Sequence, residues 1–458
     1  MFKKLLGFSL VATVLIAFAA GVGFDWLSAH GMEQPGYVAL AILISAAILW
    51  ITEAVPLFVT SLTILLLALV WLMPTMKAGS IKVDREMFLA PFFSDVIVLF
   101  LGGFAISSAL HKRRLDEFLA ILMLRASGGT LPGLLFGIMI VTAFLSMWLS
   151  NTATAAMMLA MVLPIANQLE DSDQRGKGLL LAVAFAANAG GLGTPIGSPP
   201  NAITMQYMSE IGIEPTFAQW MLIGVPGVAV MLVLAWIVLI AIYGHGSGKL
   251  PISVNQVRIK MDAELCVILG TVGITVIGWT TTSLHGLSSG TIALIPVVIF
   301  FGSGVLAVGD LRDMSWEVLL MMGGGLCLGS VISESGLADW LIALLPVSGF
   351  TTFTLTIIFG SVACFMSALM SNTATANLLL PIIVGMSAGS ATPMMIGTAF
   401  GCSLAMPFPV STPPNAMAFS SGKLSVLDLA IPGTLLTLSG IALAFTTGYW
   451  WWKTVGLW

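Results

Sequence analysis

The chain is poor in charge: of 458 residues only 8% are Asp, Glu, Lys or Arg, against about 25% in a soluble domain. That scarcity excludes a soluble fold of this size. The net charge of −4 is small and scattered and gives no reason to expect nucleic acid as a partner. Cysteine is scarce too. Cys266, Cys327, Cys364 and Cys402 lie inside apolar runs without paired ligand spacing, which reads as small core residues rather than a metal site. His30, His111, His245 and His285 are dispersed, and no H-E-x-x-H pair, Walker loop or Gly-x-Ser-x-Gly elbow occurs. These absences argue against an ATP-driven pump, and the lack of a nucleophile–base constellation argues against an enzyme.

In place of charge the chain has apolar length, with 58% of its residues hydrophobic. An α-helix rises about 1.5 Å per residue and the hydrocarbon core is about 30 Å thick, so about 20 apolar residues span it. Runs of that order are predicted at 5–24, 36–53, 57–74, 93–110, 217–243, 263–281, 290–307, 316–334 and 427–452. The last ends in Trp450-Trp451-Trp452, a composition suited to the membrane interface. The first follows Lys3 and Lys4 and ends near Ala19-Ala20-Gly21, as a secretory leader would, but its length favours a retained helix. His111-Lys112-Arg113-Arg114 opens an amphipathic stretch to about 127, and a second such stretch covers 336–347.

The remaining polar residues concentrate in a pattern that occurs twice. Ser-Asn-Thr-Ala-Thr-Ala stands at 150–155 and again at 371–376, and Pro-Pro-Asn-Ala follows each copy, at 199–202 and 413–416. The first hexapeptide splits the apolar run 131–164 into arms of roughly 16 residues, each about 24 Å long as a helix and short of the core. A re-entrant hairpin with Ser-Asn-Thr at its tip fits that length better than two spans, and a second hairpin is expected over 352–388. Broken spans follow at 178–213 and 393–420, interrupted at 193–200 and 409–414. With the N-terminus cytoplasmic and each hairpin returning to its own side, only Lys77, Lys82, Arg85 and Lys453 fall outside. That leaves thirteen of the 17 lysines and arginines inside, and places the C-terminus outside. The segment before the first hairpin is basic, and its counterpart before the second, Ser333-Glu334-Ser335-Gly336, is acidic, as opposite orientation predicts.

The expected fold is an all-α polytopic membrane protein of eleven transmembrane helices plus two re-entrant hairpins, arranged as an inverted-topology repeat. Its divisions are 1–130 (four spans and an amphipathic helix), 131–243 (hairpin, broken span, following helix) and a cytoplasmic linker at 244–262, after which 263–350 and 351–458 repeat the plan. Interrupted helices in a duplicated membrane chain, meeting near the midplane, mark a secondary transporter.

Irregular backbone at membrane depth costs several kcal/mol per unsatisfied group unless it lines a polar site. Two tips and two Pro-Pro breaks supply such backbone here. Freed carbonyls at helix C-termini suit Na⁺ and freed N–H groups at N-termini suit anions; Thr194, Gly197, Ser198, Ser411 and Thr412 sit where such groups are freed. No Arg or Lys falls in either hairpin or either break, so a bound anion needs co-bound cations. Coupling of opposite charges in a low-dielectric pocket is the physical basis of symport. Two Ser-Asn-Thr tips favour two carboxylates over one compact oxyanion. Helix-packing glue is the plainer account of Ser, Thr and Asn, but it does not explain an identical hexapeptide in both halves. Glu53, Asp95 and Glu317 fall at predicted helix ends, where capping or snorkelling explains them better than proton transfer does.

The paired Ser-Asn-Thr signatures, with the Gly-Ser-Pro-Pro and Thr-Pro-Pro breaks, resemble the divalent anion/Na⁺ symporters, the INDY-type di- and tricarboxylate carriers, over essentially the whole chain. The resemblance implies a scaffold that forms a homodimer and a transport part that moves as an elevator. It also implies import of succinate, malate or fumarate with Na⁺ across a bacterial cytoplasmic (inner) membrane. Carried over by motif, Ser150, Asn151 and Thr152 with Ser371, Asn372 and Thr373 would hold the two substrate carboxylates, helped by Ser198 and Thr412. A first Na⁺ would sit among Ser146, Ser150, Asn151 and Gly197. By the internal repeat, a second would involve Ser367, Met370 (through its backbone), Asn372 and Ser411. Met370 and Ser411 stand where alanine is expected in close bacterial relatives, and backbone ligation tolerates both. No organic cofactor is implied; the partners are the dicarboxylate, Na⁺, membrane lipid and a second copy. A dicarboxylate exchanger, or a sulfate or citrate carrier, is the alternative within the fold. A passive anion channel is the alternative of another class, and would show flux without Na⁺ dependence.

Overall fold

A computed structural model describes residues 2–126, 130–170, 173–244, 261–344, 349–386 and 388–457, and every regular element among them is helical. Most of the expected linker at 244–262, with His245, lies outside the described residues. The first half runs α1 (Phe2–Ala19), α2 (Gln34–Thr52), α3 (Leu57–Leu67), α4 (Asp95–Lys112), α5 (Leu115–Ala126), α6 (Leu131–Trp148), α7 (Asn151–Asn167), α8 (Arg175–Gly190), α9 (Pro199–Glu210) and α10 (Phe217–Tyr243). The second runs α11 (Ala263–Thr280), α12 (Ser289–Gly302), α13 (Trp316–Glu334), α14 (Leu337–Leu344), α15 (Thr352–Leu369), α16 (Asn372–Val384), α17 (Ala388–Leu404), α18 (Pro413–Ser420), α19 (Val426–Leu443) and α20 (Tyr449–Thr454).

Among the described residues nine helical stretches are long and apolar enough to cross a membrane, and the chain is an integral membrane protein. The expected run 290–307 is only the 14-residue α12, because the chain leaves the helix at Gly302-Ser303-Gly304 and Gly304 takes a left-handed φ of 80°. Both runs expected to be broken spans are pairs of short helices, α8 with α9 and α17 with α18. Their Pro-Pro pairs stand at the first turns of α9 and α18, where a missing N–H costs nothing. The amphipathic stretches become α5 and α14, and Glu53, Asp95 and Glu317 all lie at helix ends.

The packing divides the helices into two groups. In one, α3 lies on α13 and α12 on α4. In the other, α6 packs on α8 and α15 on α17, while α7 packs on α18 and α16 on α9, so each half completes the other. Helix α13 joins the groups through a row of glycines. Gly324 is so close to Ser61 of α3 that a Cβ would fall 2.1 Å from the serine Cβ, and Gly325 so close to Asn377 of α16 that a Cβ would fall 1.9 Å from its carboxamide carbon.

One end of the bundle is fixed by ion pairs. Lys112 at the end of α4 meets Asp310 at 2.8 Å, and Arg113 meets Asp262 at 2.6 Å and Glu264 at 3.2 Å. The end of α4 therefore lies beside the start of α11 and the turn leading into α13. Lys177 of α8 pairs with Asp428 of α19 at 3.0 Å. These pairs are partly exposed and show which ends adjoin more than they add stability.

Candidate functional site

Helix α6 ends at Trp148, and Leu149 and Ser150 are extended before α7 starts. The Ser150 hydroxyl caps α7 by accepting the Ala153 N–H at 3.1 Å. One turn back, Ser146 Oγ lies 2.6 Å from Asn151 Oδ1 and 2.8 Å from the Ala187 carbonyl of α8. The neighbouring groups favour one setting of the Asn151 carboxamide. With Nδ2 inward it donates to Ser146 Oγ at 2.6 Å and to the carbonyls of Ala187 and Gly197 at 3.2 Å each. Turned with Oδ1 inward, as a bound cation would require, it would complete a group of four oxygens with Ser146, Ala187 and Gly197.

The backbone of the first break is shaped to reach that carboxamide. A Cβ at Gly191 would fall 2.7 Å from Asn151 Nδ2, and one at Gly197 would fall 2.7 Å from the Gly191 carbonyl. Thr194 Oγ1 donates to the Met147 carbonyl and accepts the Gly197 N–H. Asn201 Nδ2 donates to the carbonyls of Gly191 at 2.7 Å and Thr194 at 2.8 Å.

The second tip repeats the arrangement. Ser367 Oγ lies 2.7 Å from Asn372 Oδ1 and 2.8 Å from the Cys402 carbonyl of α17. Met370 is buried and extended between α15 and α16. Ser411 Oγ donates to the Ala368 carbonyl at 3.0 Å, tying the break to the tip. Asn415 Nδ2 donates to the carbonyls of Met406 at 3.0 Å and Phe408 at 3.1 Å, as Asn201 does in the first break. Its Oδ1 accepts Asn188 Nδ2 of α8 at 3.0 Å, so helices flanking the two breaks are bonded to one another.

Within the two expected Na⁺ sets, Ser146 bonds Asn151 and Ser367 bonds Asn372, while Ser150 caps its own helix and Ser411 bonds the Ala368 carbonyl. Of the expected substrate residues, Ser198, Thr373 and Thr412 are buried, Ser150, Asn151, Ser371 and Asn372 are half-buried, and Thr152 is exposed. Ser150 lines a cavity of about 1070 Å³ between α7 and α4, whose lining also includes His111, Lys112, Asp116 and Asp310. Beside the tip, Ser150 shares a small recess with Phe104 and Ser107, halfway along α4. Ser371, Asn372 and Thr373 do not line the large cavity. Among the described residues no group of His, Cys, Asp and Glu is placed to hold a metal. A cation at either tip would be held by neutral oxygens.

Sequence reasoning missed Asn188, Asn201 and Asn415 as site residues, and Asn377 at the α13 seam. Asn201 and Asn415 were visible as the repeated asparagine of Pro-Pro-Asn-Ala. Asn188 and Asn377 carry no such repeat, and only the packing singles them out.

Membrane-length helices interrupted at two matched polar tips, one opening on a large cavity, define a membrane transporter. The citrate transporter (CitMHS) family matches residues 47–401, and the chain belongs to that family. It is 34% identical to the sodium-dependent dicarboxylate transporter SdcS of Staphylococcus saprophyticus, over 91% of this chain and 86% of the relative. It is 32% identical to SdcS of Staphylococcus aureus, over 89% of this chain and 85% of the relative. The Alcanivorax borkumensis YdaH transporter, whose crystal structure is described as having an unusual topology, has a similar fold. It aligns with a TM-score of 0.54 at 13% identity, over 79% of this chain and 87% of that one.

Proposed function

We propose that the chain is a Na⁺-coupled carrier that imports C4-dicarboxylates such as succinate, malate and fumarate by alternating access of the elevator kind. The observation that carries this reading is the matched pair of Ser–Asn–carbonyl clusters, Ser146–Asn151–Ala187 and Ser367–Asn372–Cys402. Each offers neutral oxygens to a cation beside a helix N-terminus suited to a carboxylate. In this reading Na⁺ sits among Ser146, Ser150, Asn151 and Gly197 and among Ser367, Met370, Asn372 and Ser411. The substrate lies between the two Ser-Asn-Thr tips, with Ser198 and Thr412. The naming of both Staphylococcus relatives as sodium-dependent dicarboxylate transporters supports the choice of ion and substrate.

Eleven spans, two re-entrant hairpins and an inverted repeat are part of the same proposal. The ion pairs at Lys112 and Arg113 support inversion, since α4 ends where its counterpart α13 is about to begin. A tip that reaches only halfway along α4 supports re-entrance. The moving part would be α6–α10 with α15–α20, on a dimeric scaffold of α1–α5 and α11–α14, with the basic end cytoplasmic and the C-terminus outside.

Movement is supported by a difference between equivalent seams. Asn377, six residues past Ser371, is buried on α13, where its Nδ2 donates to the Met321 carbonyl at 3.2 Å. Tyr207 of α9 donates to the Gly325 carbonyl at 3.1 Å in the same seam. Ala156, six residues past Ser150, instead lines the open cavity facing Ser107 and Ser108 of α4. One tip helix is docked and the other is free, as expected of a carrier open to one side.

The test is labelled succinate uptake into proteoliposomes under an inward Na⁺ gradient, against matched K⁺ or choline. Accumulation above equilibrium that needs Na⁺ supports the proposal. Uptake that needs only internal dicarboxylate would make the protein an exchanger. Citrate is the competitor to include, because the matching family is named for it. Flux without saturation or Na⁺ dependence would make it a channel.

A further inference from the structure

A second cavity lies on the far side of the two breaks. It holds about 290 Å³ between α10 and the helix that continues α19 into α20. Gly227 and Val230 form one wall, Gly440 and Ala444 the other, and Leu192 and Phe400 the floor. Two helix irregularities face each other to make it. Helix α10 carries Pro226 in its interior, and α19 passes into α20 through a π-helical turn at Ala444–Gly448, an insertion often found at functional sites.

The two irregularities are joined by a bond that neither could make alone. Proline has no N–H, so the Leu222 carbonyl one turn back loses its helical partner. The Trp451 indole of α20 donates to that carbonyl at 2.8 Å. The tryptophan bridges α10 and α20 and itself lines the cavity.

We propose that this cavity is a binding site for the acyl chain of a bilayer phospholipid. The walls are almost wholly apolar, so a polar ligand would lose its hydration without return. The flanking residues Val225, Val230, Leu435 and Leu438 are 36%, 44%, 48% and 61% exposed. In a membrane protein that face meets lipid tails. A helix from a second copy, about 10–12 Å wide with its side chains, does not fit so small a recess, whereas a flexible unbranched chain does. Lys453 follows Trp452 at the end of α20 and lies 5.7 Å from the Trp450 ring centroid. That is the interfacial position where a cation meets a phosphate headgroup.

The floor gives the site a consequence, which rests on the transport reading. Leu192 belongs to the first break, its carbonyl held by Trp220 at 3.2 Å. Phe400 lies about one turn from the end of α17, before the second. A chain in the cavity braces both breaks from behind, so bilayer composition tunes the rate at which they rearrange.

Binding is tested without reference to transport. The full chain is reconstituted in phosphatidylethanolamine–phosphatidylglycerol vesicles containing a phosphatidylethanolamine with a diazirine midway along one acyl chain. It is then illuminated and the labelled peptides are mapped. Labelling of 223–231 and 440–452 is expected to exceed that of lipid-facing α11 several-fold. Val230→Trp, which fills the cavity from its exposed rim, and separately Ala444→Phe, are expected to abolish that excess while α11 labels as before; unchanged α11 labelling also shows that the variants are folded. Even labelling of all lipid-facing helices, an excess that survives both variants, or cross-links to a second copy at these residues would overturn the proposal. If the excess is present but uptake is indifferent to chain length and the variants, the site stands and its link to transport fails.

Discussion

Adding one methyl group at each of two adjacent glycines separates a moving seam from a fixed one. At Gly325 a Cβ would fall 1.9 Å from the Asn377 carboxamide carbon, and at Gly324 it would fall 2.1 Å from the Ser61 Cβ. Neither neighbour can swing away freely, since Asn377 Nδ2 and Ser61 Oγ both donate to the Met321 carbonyl at 3.2 Å. Overpacking of this kind costs about 1–3 kcal/mol. If α16 moves against α13 while α3 does not, Gly325→Ala raises the energy of only the arrangement in which Asn377 is docked. A penalty of about 1–3 kcal/mol then moves the population about 5–150-fold towards the other arrangement. Gly324→Ala raises the energy of both arrangements together and shifts nothing.

The assay uses Ala156→Cys as a reporter, in a background with Cys266, Cys327, Cys364 and Cys402 replaced, and a membrane-impermeant maleimide. Ala156 lines the open cavity in the arrangement with Asn377 docked, so its labelling rate measures that population. Gly325→Ala is expected to slow labelling several-fold and Gly324→Ala to leave it unchanged, with both proteins monodisperse. Equal effects, or no effect of Gly325→Ala in a folded protein, would refute the reasoning, because the two seams would then be parts of one rigid body.

Asn151→Ala and Asn372→Ala each remove the carboxamide at a tip and are expected to raise the Na⁺ concentration for half-maximal uptake about 10–100-fold; unchanged Na⁺ dependence would sink the ion assignment. Asn415→Ala strips partners from the Met406 and Phe408 carbonyls and from Asn188, at about 1–3 kcal/mol for each group left buried and unpaired. The thermal unfolding midpoint in detergent should fall by several degrees, and that of Ser420→Ala, an exposed position, should not. Between α7 and α8 the Arg175 guanidinium holds the Asp173 carboxyl below its usual range. A depressed folded-state pKa contributes stability that is present above the ordinary carboxylate value and is lost as pH falls through the lower one. Proteolysis at Asp173–Arg175 should therefore increase only below about pH 4, and an onset near neutral pH would contradict the pairing.

How far the sequence discloses this protein depends on the kind of signal. The hexapeptide repeat located both tips, because two identical polar strings in apolar surroundings are visible without structure. The Pro-Pro pairs located both breaks, because proline cannot continue a helix from within. The extent of α12 was not legible: apolar residues run on past Gly302, and only the left-handed turn at Gly304 ends the helix. Asn188 and Asn377 were invisible for a different reason. Each acts across more than fifty residues of chain, on Asn415 and on the Met321 carbonyl, and no local pattern encodes a partner so far away. The seam on α13 was not read from the sequence: Gly323-Gly324-Gly325 permits close approach but does not say which helix approaches.

The convergence of helix ends bears on why such a site would bind its ions together. Helices α7, α9, α16 and α18 begin at the tips and breaks, and α6, α8, α15 and α17 end there. Each N-terminus acts as roughly half a positive charge and each C-terminus as roughly half a negative one. Four of each sum to about +2 and −2 and cancel. With no lysine or arginine in the hairpins or breaks, the empty site is neutral overall yet locally divided, with N–H groups gathered at four points and carbonyls at four others. On the proposed reading a dicarboxylate alone would match the first set and leave its charge uncompensated in a low-dielectric surrounding. Two Na⁺ alone would match the second with the same fault. Bound together they restore neutrality, and each lowers the other's cost by the Coulomb energy between them. A permanent arginine at a tip would hold the anion without sodium and would abolish that dependence. On that reading, the absence of such a residue is the feature of the sequence on which obligatory coupling would rest. Ser150→Arg should leave any residual dicarboxylate binding independent of Na⁺, and binding that stayed Na⁺-dependent in that variant would show the coupling to have another origin.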